Sequence, residues 1–380
     1  MRLLIITEFF PIGNKTTGGV EAVMFHRVNL LKRRHQVTVI CQRQGDEADI
    51  HEKNLDVLRI GPAYPYTNEG HVFARLGYAI NAFRKAKSIP TDIIEGTNFI
   101  SYLPAALSGL VNGIPRVATY HECWVGGTWI KNKGLWTGLC GEIWERIALR
   151  LGWTRIFSIS EFTRDALIAA HVPATRIEVI PNGIDLSAFD FRVKKETKPT
   201  IVCVSRLIPT KKVDVLIRAL PYVVRRVRDI QVHIVGYGDE RERLERLADD
   251  LGVREHVTFF GRIPENREVF KIIKAGQVFV LPSEMEGFGI VVLEAMASGL
   301  PVVCADIPPL REVTGGGKGG FLFTPGDHDD LSMKLVTLLM DKQIYAAKVK
   351  EAKERVQAYA WPSIIRKLDR AYRDIVEKSK

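Results

Sequence analysis

Val278-Phe279-Val280-Leu281-Pro282-Ser283-Glu284-Met285-Glu286-Gly287-Phe288-Gly289-Ile290-Val291-Val292-Leu293-Glu294 carries the grammar from which the fold is read. The apolar run closed by Pro282 reads as a fully buried strand, and the apolar run from Ile290 reads as a helix. A buried strand that passes through a glycine loop straight into a helix is half of a parallel βαβ unit. Gly287 and Gly289 leave backbone N–H groups bare at the helix start, where a phosphate is favoured. Glu294 lies a little over one turn inside the helix, placed to accept both hydrogens of a ribose cis-diol. Glu286, just before the helix, is placed to accept hydrogen bonds from sugar hydroxyls; the alternative is a helix-capping acid.

The same alternation extends in both directions. Upstream of this stretch, strands are expected at Ile201–Ser205, Gln231–Val235 and Val257–Phe260, with helices near Val213–Val227 and Glu240–Leu251. Earlier still, strands at Leu3–Thr7, Val37–Cys41, Val57–Ile60, Asp92–Glu95, Val117–His121 and Ile156–Ser160 accompany a helix at Val20–Lys32. Such alternation means parallel strands with crossover helices. The fold class is therefore α/β, with two Rossmann-like domains facing across a cleft. The aperiodic stretch after Pro181-Asn182-Gly183 separates them: 1–186 forms one domain and 187–360 the other. The last helical run, within 361–380, packs back on the first.

The length of 380 residues suits two cores. With 46% hydrophobic and 26% charged residues the composition is that of an ordinary globular protein. Glu8 and Pro11 interrupt the first apolar run, which reads as a strand rather than a signal peptide. No window reaches the roughly 18 apolar residues of a membrane span. The five cysteines, Cys41, Cys123, Cys140, Cys203 and Cys304, have no metal or redox spacing and read as buried thiols in a reducing cytoplasm. A net charge of +10 favours anionic partners without choosing among them. It is spread over both halves without an arginine-rich helix, so nucleic acid is not expected.

Several smaller motifs accompany the long stretch. Gly18-Gly19-Val20-Glu21 opens a helix after the first strand and suits a phosphate or a sugar, or is a plain turn. Arg206 and Lys211 follow a strand end, where two cations would neutralise a diphosphate. Asp327-His328-Asp329 has the form of a metal-diphosphate motif but follows Pro325-Gly326 and reads as a helix cap; no metal is expected. Gly315-Gly316-Gly317-Lys318 lacks the hydroxyl residue of a P-loop. Gly236-Tyr237-Gly238 lacks the third glycine of a dinucleotide fingerprint, Arg241 standing in its place. Ser160 reads as an N-cap.

Taken in order, these landmarks resemble the retaining nucleotide-sugar glycosyltransferases of family 4, the two-Rossmann-domain GT-B class with a Glu, seven residues, Glu signature. The resemblance covers nearly the whole chain: Gly18-Gly19-Val20-Glu21, Thr119-Tyr120-His121-Glu122, Pro181-Asn182-Gly183-Ile184-Asp185, Ser205-Arg206-Leu207 with Lys211, Gly236-Tyr237-Gly238-Asp239, and Glu286 through Glu294. It implies transfer of a hexose from a UDP-, GDP- or ADP-linked donor to a lipid-linked or glycan acceptor, with retention of configuration and no cofactor. It also implies site roles. Arg206 and Lys211 would hold the diphosphate, Glu294 the ribose, and Glu286 with the Phe288-Gly289 backbone the transferred sugar. Gly19, Gly261, Arg262, Ile263, Gly287 and Ile290 complete the donor set. His121 would sit beside the reacting carbon, with Glu21, Glu122 and Trp124 toward the acceptor. The family often has Asp at Glu122 and Gly at Lys212. Two other readings compete: a sugar-nucleotide epimerase of the same fold, and a non-catalytic partner subunit.

Between Cys123 and Arg155 lie Trp124, Trp129, Trp136, Trp144 and Trp153, with Lys131, Lys133, Arg146, Arg150 and Arg155 opposed by Glu142 and Glu145. Tryptophan with basic residues is an interfacial composition. It implies peripheral contact with an anionic membrane, at the cytoplasmic face; the alternative is that these tryptophans are core.

Overall fold

The computed structural model describes residues 1–11, 19–64 and 71–379. Two compact units are present, Met1–Gly183 with Trp361–Lys380, and Ile184–Ala360. The division falls at Gly183/Ile184 rather than at 186/187.

The first unit is built on one sheet of β1 (Arg2–Ile6), β2 (Gln36–Gln42), β3 (Ile50–Glu52), β4 (Leu55–Ile60), β5 (Ile93–Gly96), β6 (Arg116–Tyr120), β7 (Arg155–Ser158) and β8 (Ile177–Val179). Their order is β3-β4-β2-β1-β5-β6-β7-β8, parallel except for β3 against β4. Leu3, Leu4, Ile5 and Ile6 are all buried. Strands apolar on both sides need helices over both faces. One face is covered by α1 (Gly19–Leu31) and the terminal helix Trp361–Lys378. The other is covered by α2 (Val72–Ala86), α3 (Tyr102–Val111), α5 (Leu135–Leu149) and α6 (Glu161–Ala169), and the short α4 (Thr128–Lys133) packs on α5.

A polar cluster lies within the first of these layers. Arg27 of α1 pairs with Glu95 of β5 at 2.5 Å, both almost fully buried. Thr119 of β6 donates to Glu95 at 2.5 Å. The Tyr372 hydroxyl donates to Glu95 and accepts from Arg27. The Glu95 charge holds Arg27 protonated against the cost of burial. Both charges are thus paired and hydrogen-bonded, the condition for tolerating them inside. Tyr372 belongs to the terminal helix, which is thereby keyed to the first sheet. His35 and Asp369 add a second tie at 2.7 Å.

The second unit has a six-stranded, wholly parallel sheet. Its strands are β9 (Thr200–Val204), β10 (Gln231–Val235), β11 (Val257–Gly261), β12 (Val278–Leu281), β13 (Val302–Ala305) and β14 (Gly320–Phe323). They run in the order β11-β10-β9-β12-β13-β14. The helices are α7 (Val213–Arg226), α8 (Arg241–Asp250), α9 (Asn266–Ala275), α10 (Ile290–Ala297), α11 (Pro308–Thr314), α12 (His328–Met340) and α13 (Lys342–Gln357). From β9 the chain first adds strands on one side and then crosses to add β12 on the other. That reversal creates a crevice at the carboxyl ends of β9 and β12, where ligands of such sheets bind. β13 and β14 lie beyond the strands expected from periodicity, because apolar runs this short give no period to read.

Removing Glu95 leaves a guanidinium buried without a counter-charge, so Glu95→Gln should lower unfolding stability by about 3–5 kcal/mol. Tyr372→Phe should cost about 1–3 kcal/mol. Urea unfolding measures both, and a Glu95→Gln protein as stable as the parent would show that the cluster carries no such constraint.

Candidate active site

The crevice at β9 and β12 brings together residues expected from the sequence. Lys211 ends a 3₁₀ turn between β9 and α7, and its Nζ meets Glu286 Oε1 at 2.6 Å and the Met285 carbonyl at 3.2 Å. Both side chains are largely sheltered from solvent. The Glu284 N–H donates to the Thr210 carbonyl at 3.0 Å, stitching the two loops through their backbones. Glu286 therefore does not cap α10; the N-cap is Gly289, at φ 86°, with no capping side chain. The first N–H groups of α10 are left for a ligand. Phe288 is buried against the Tyr359 ring. Arg206 is exposed, with no ion pair to any described residue.

Lys212 occupies a left-handed backbone conformation, φ 48°. That position is natural for glycine and costs about 1 kcal/mol for a side chain, a physical reason for the glycine that the family resemblance leads one to expect there. Lys212 also reaches Glu284 at 3.2 Å.

Gly236 and Gly238 have a structural task that the dinucleotide comparison missed. A Cβ at Gly236 would sit 1.8 Å from the Ser205 carbonyl, and one at Gly238 would sit 2.2 Å from that of Leu207. The loop after β10 lies flush on the segment bearing Arg206, and Leu207 N–H donates to the Tyr237 carbonyl at 2.8 Å. Gly236 N–H in turn donates to the Gly261 carbonyl at 2.9 Å. The loops after β9, β10 and β11 are thus one stacked backbone layer. On it the Arg262 guanidinium lies over the Tyr237 ring at 5.4 Å. Ile263 is half-buried beside this stack in the chain. Tyr237 was not among the expected site residues; an aromatic between two obligatory glycines was the available signal.

Glu294 projects from α10 with no hydrogen bond or ion pair to any described residue. Burial pushes its carboxyl up to about 7. A carboxylate is costly in such a place unless something donates to it.

In the first unit, His121 follows β6. Both ring nitrogens are inaccessible and unpartnered, and burial, with Arg27 nearby, lowers the imidazole to about 4. It is neutral at pH 7, with one donor and one acceptor that no described residue satisfies. Trp124 Nε1 donates to Glu122 at 2.6 Å. Gly19 opens α1 in an exposed position, and Glu21 in its first turn is buried. Gly18 lies outside the described residues.

α5 holds the loop next to His121. Its inner side carries Gly138, Gly141, Glu142 and Glu145. A Cβ at Gly141 would stand 2.5 Å from the Trp129 ring, so glycine there lets the indole seat. Glu145 accepts from Trp129 Nε1 at 2.5 Å and from the Trp124 N–H at 3.2 Å; burial raises it to about 7. Glu142 accepts from Gly126 N–H at 2.9 Å and pairs with Arg146 at 2.7 Å. The expectation that both acids oppose the basic residues needs correction: Glu145 serves the loop, because indole and amide donors surround it. The tryptophans also divide. Trp153 is buried, Trp124, Trp129 and Trp144 are half-buried, and Trp136 is 79% exposed.

Asp327 accepts from the N–H groups of Asp329 and Asp330 as an N-cap, and Ser160 caps α6. Cys41, Cys203 and Cys304 are buried, but Cys123 is half-buried and Cys140 exposed, so the thiols are not uniformly core. Cys140 lies on the outer side of α5.

Residues 187–356 match the model of Glycosyl transferases group 1, and residues 17–188 that of Glycosyltransferase Family 4. A GDP-mannose-dependent alpha-(1-6)-phosphatidylinositol monomannoside mannosyltransferase of Mycolicibacterium smegmatis is 31% identical over 91% of each chain. The chain belongs to glycosyltransferase family 4. A phosphatidyl-myo-inositol mannosyltransferase of Mycobacterium leprae is 33% identical over 96% of this chain and 95% of its own. Among solved structures, sucrose-phosphate synthase of Thermosynechococcus elongatus superposes with a TM-score of 0.81 at 19% identity, over 99% of both chains. Anabaena HepE with UDP and glucose gives 0.76 at 21%, over 98% of this chain and all of the other. These two likenesses establish the GT-B fold. The family-4 chain is a hexosyltransferase that draws on a nucleoside-diphosphate sugar.

Glu294 makes a pH-dependent prediction. An acid whose folded pKa is raised stabilises the fold less as pH rises from the unfolded value near 4.5 to about 7. Glu294→Gln should therefore raise the melting temperature of the ligand-free protein at pH 8, with the gain shrinking toward pH 5. A lower melting temperature at pH 8 would mean that the carboxylate has a partner in solution.

Proposed function

We propose that the family-4 chain transfers mannose from GDP-mannose to a polyol hydroxyl of a lipid-linked acceptor, with retention of configuration. The observation that carries the donor assignment is Glu294, a half-buried carboxyl without a partner among the described residues in the segment whose resemblance gives it the ribose. Two donated hydrogen bonds from a cis-diol supply what the carboxylate lacks and favour its ionised form. GDP-mannose is the donor named for the relative 31% identical over 91% of the chain, and mannose is the sugar named for the one 33% identical over 96%.

In this reading Lys211, Arg206 and the free N–H groups of α10 stabilise the departing diphosphate. Lys211 and Glu286 hold each other's charge until the donor arrives, when Lys211 turns to phosphate and Glu286 to sugar hydroxyls. The Tyr237–Arg262 stack offers a flat cationic surface to the base. The C1–O bond to the β-phosphate breaks, the acceptor oxygen bonds to C1 from the same face, and the acceptor proton passes to the leaving phosphate oxygen. His121, neutral at pH 7, orients hydroxyls rather than supplying charge.

The lipid nature of the acceptor draws support from an asymmetry. Of the nineteen large hydrophobic residues exposed among the described ones, fourteen lie in the first unit. They include Phe73, Leu76 and Ile80 on α2, and Leu135, Trp136, Leu139, Ile143 and Ile147 on α5. The helices bearing them cover the same sheet face. No helix among the described residues is long and apolar enough to cross a membrane, so this face would lie against one.

GDP should raise the melting temperature more than UDP or ADP, and GDP affinity should increase between pH 6 and pH 8 as Glu294 ionises. Lys211→Ala should lower kcat about 10²–10³-fold in an assay of mannose transfer into a membrane lipid extract. Equal stabilisation by all three nucleotides would remove the guanine assignment. Trp136→Ser with Ile143→Ser should weaken vesicle co-sedimentation at least about tenfold, at roughly 1.5–3 kcal/mol per large side chain withdrawn from contact; unchanged binding would place the membrane face elsewhere.

A further inference from the structure

Where α5 ends, a pocket of about 250 Å³ opens at the end of the first sheet from which β7 and β8 start, opposite to the strand ends that carry His121. Arg146, Arg150, His171 and Arg176 line it, with Leu149 and Trp153 among its apolar walls, and no carboxylate contributes. Trp153 is locked in place, its Nε1 donating to the Ala148 carbonyl at 2.8 Å. Arg146 shares its charge with Glu142. Arg150 and Arg176 are exposed and pair with no described residue. Cations at the ends of α5 and α6 are favourable with the helix dipoles. That accounts for Arg150, but Arg176 ends a 3₁₀ turn of its own and gains nothing from either helix. Unpaired guanidinium groups around one concavity repel each other until an anion enters, and their planar forks match phosphate oxygens in pairs.

The position of the pocket selects the anion. Ile143, Arg146, Ile147 and Arg150 stand at i, i+3, i+4 and i+7, and so share one side of α5. Ile143 and Ile147 are each about half exposed. A phosphate between the arginines would have its esterified chains running along those isoleucines, and the apolar walls suit a glycerol backbone better than a bare ion. We propose that the pocket holds the phosphodiester headgroup of an anionic phospholipid and anchors the membrane face at a point separate from the transfer site. This rests on the membrane-facing reading of α5 given above.

The test uses the full chain labelled with 15N at tryptophan, following the Trp153 indole N–H while dihexanoyl phosphatidylglycerol is added below its micelle concentration. A saturable shift is expected. It should disappear in Arg150→Gln/Arg176→Gln and persist in Arg84→Gln/Lys85→Gln, which removes the same charge from the exposed last turn of α2. An absent shift, an equal shift with inorganic phosphate at the same concentration, or equal loss in both variants would overturn the proposal. The second outcome would make it a soluble-anion site and the third a diffuse field. GDP stabilisation and vesicle co-sedimentation, measured on the same samples, report separately on the transferase and membrane readings. Failure of either is then distinct from failure of the headgroup site.

Discussion

The second unit depends on one constraint, the reversal of strand order between β9 and β12. Parallel pairing sends every strand of the second sheet out at the same end, and the reversal leaves the loops after these two strands without a crossover between them. Lys211 and Glu286 are far apart in sequence and 2.6 Å apart in space for this reason. The stacked layer through Ser205, Gly236 and Gly261 follows from the same pairing, because adjacent parallel strands deliver their exit loops side by side. Glycine is required where those loops touch, since backbone against backbone leaves no room for a Cβ.

Stability and function are handled by different polar groups. Arg27, Glu95, Thr119 and Tyr372 form a buried cluster in which every charge has its partner, and it keys the terminal helix to the sheet. Glu294 and His121 are polar, sheltered and unpartnered. Groups of the first kind hold the scaffold; groups of the second kind raise its free energy until a ligand completes them. The scaffold that tolerates them is the apolar interior of two sheets covered on both faces.

α5 combines two tasks through its period. Residues 138, 141, 142 and 145 face inward, where the glycines admit Trp129 and the glutamates hold the loop after His121. Residues 136, 139, 143 and 147 face outward and are apolar. A lipid surface against the outer side would bear on the same helix that positions the loop beside His121.

Much of this was legible in the sequence. Buried strands and the helices after them announce themselves by period, and β10, β12 and α10 fall at Gln231–Val235, Val278–Leu281 and Ile290–Ala297 as expected. The ordered motifs point to the family from the sequence alone, because strand-end loops are short and keep their chemistry in consecutive residues. What sequence alone missed involves contacts between distant segments. The obligatory Gly236 and Gly238, the Tyr237–Arg262 stack, the diversion of Glu145 to the tryptophans and the arginine pocket beneath α5 all depend on which loops lie together. Local sequence determined the elements, their order and the residues that carry charge. Only the tertiary structure decided which charges are paired and which remain open, because pairing depends on strand order and register, and those arise from burying both sheets as wholes.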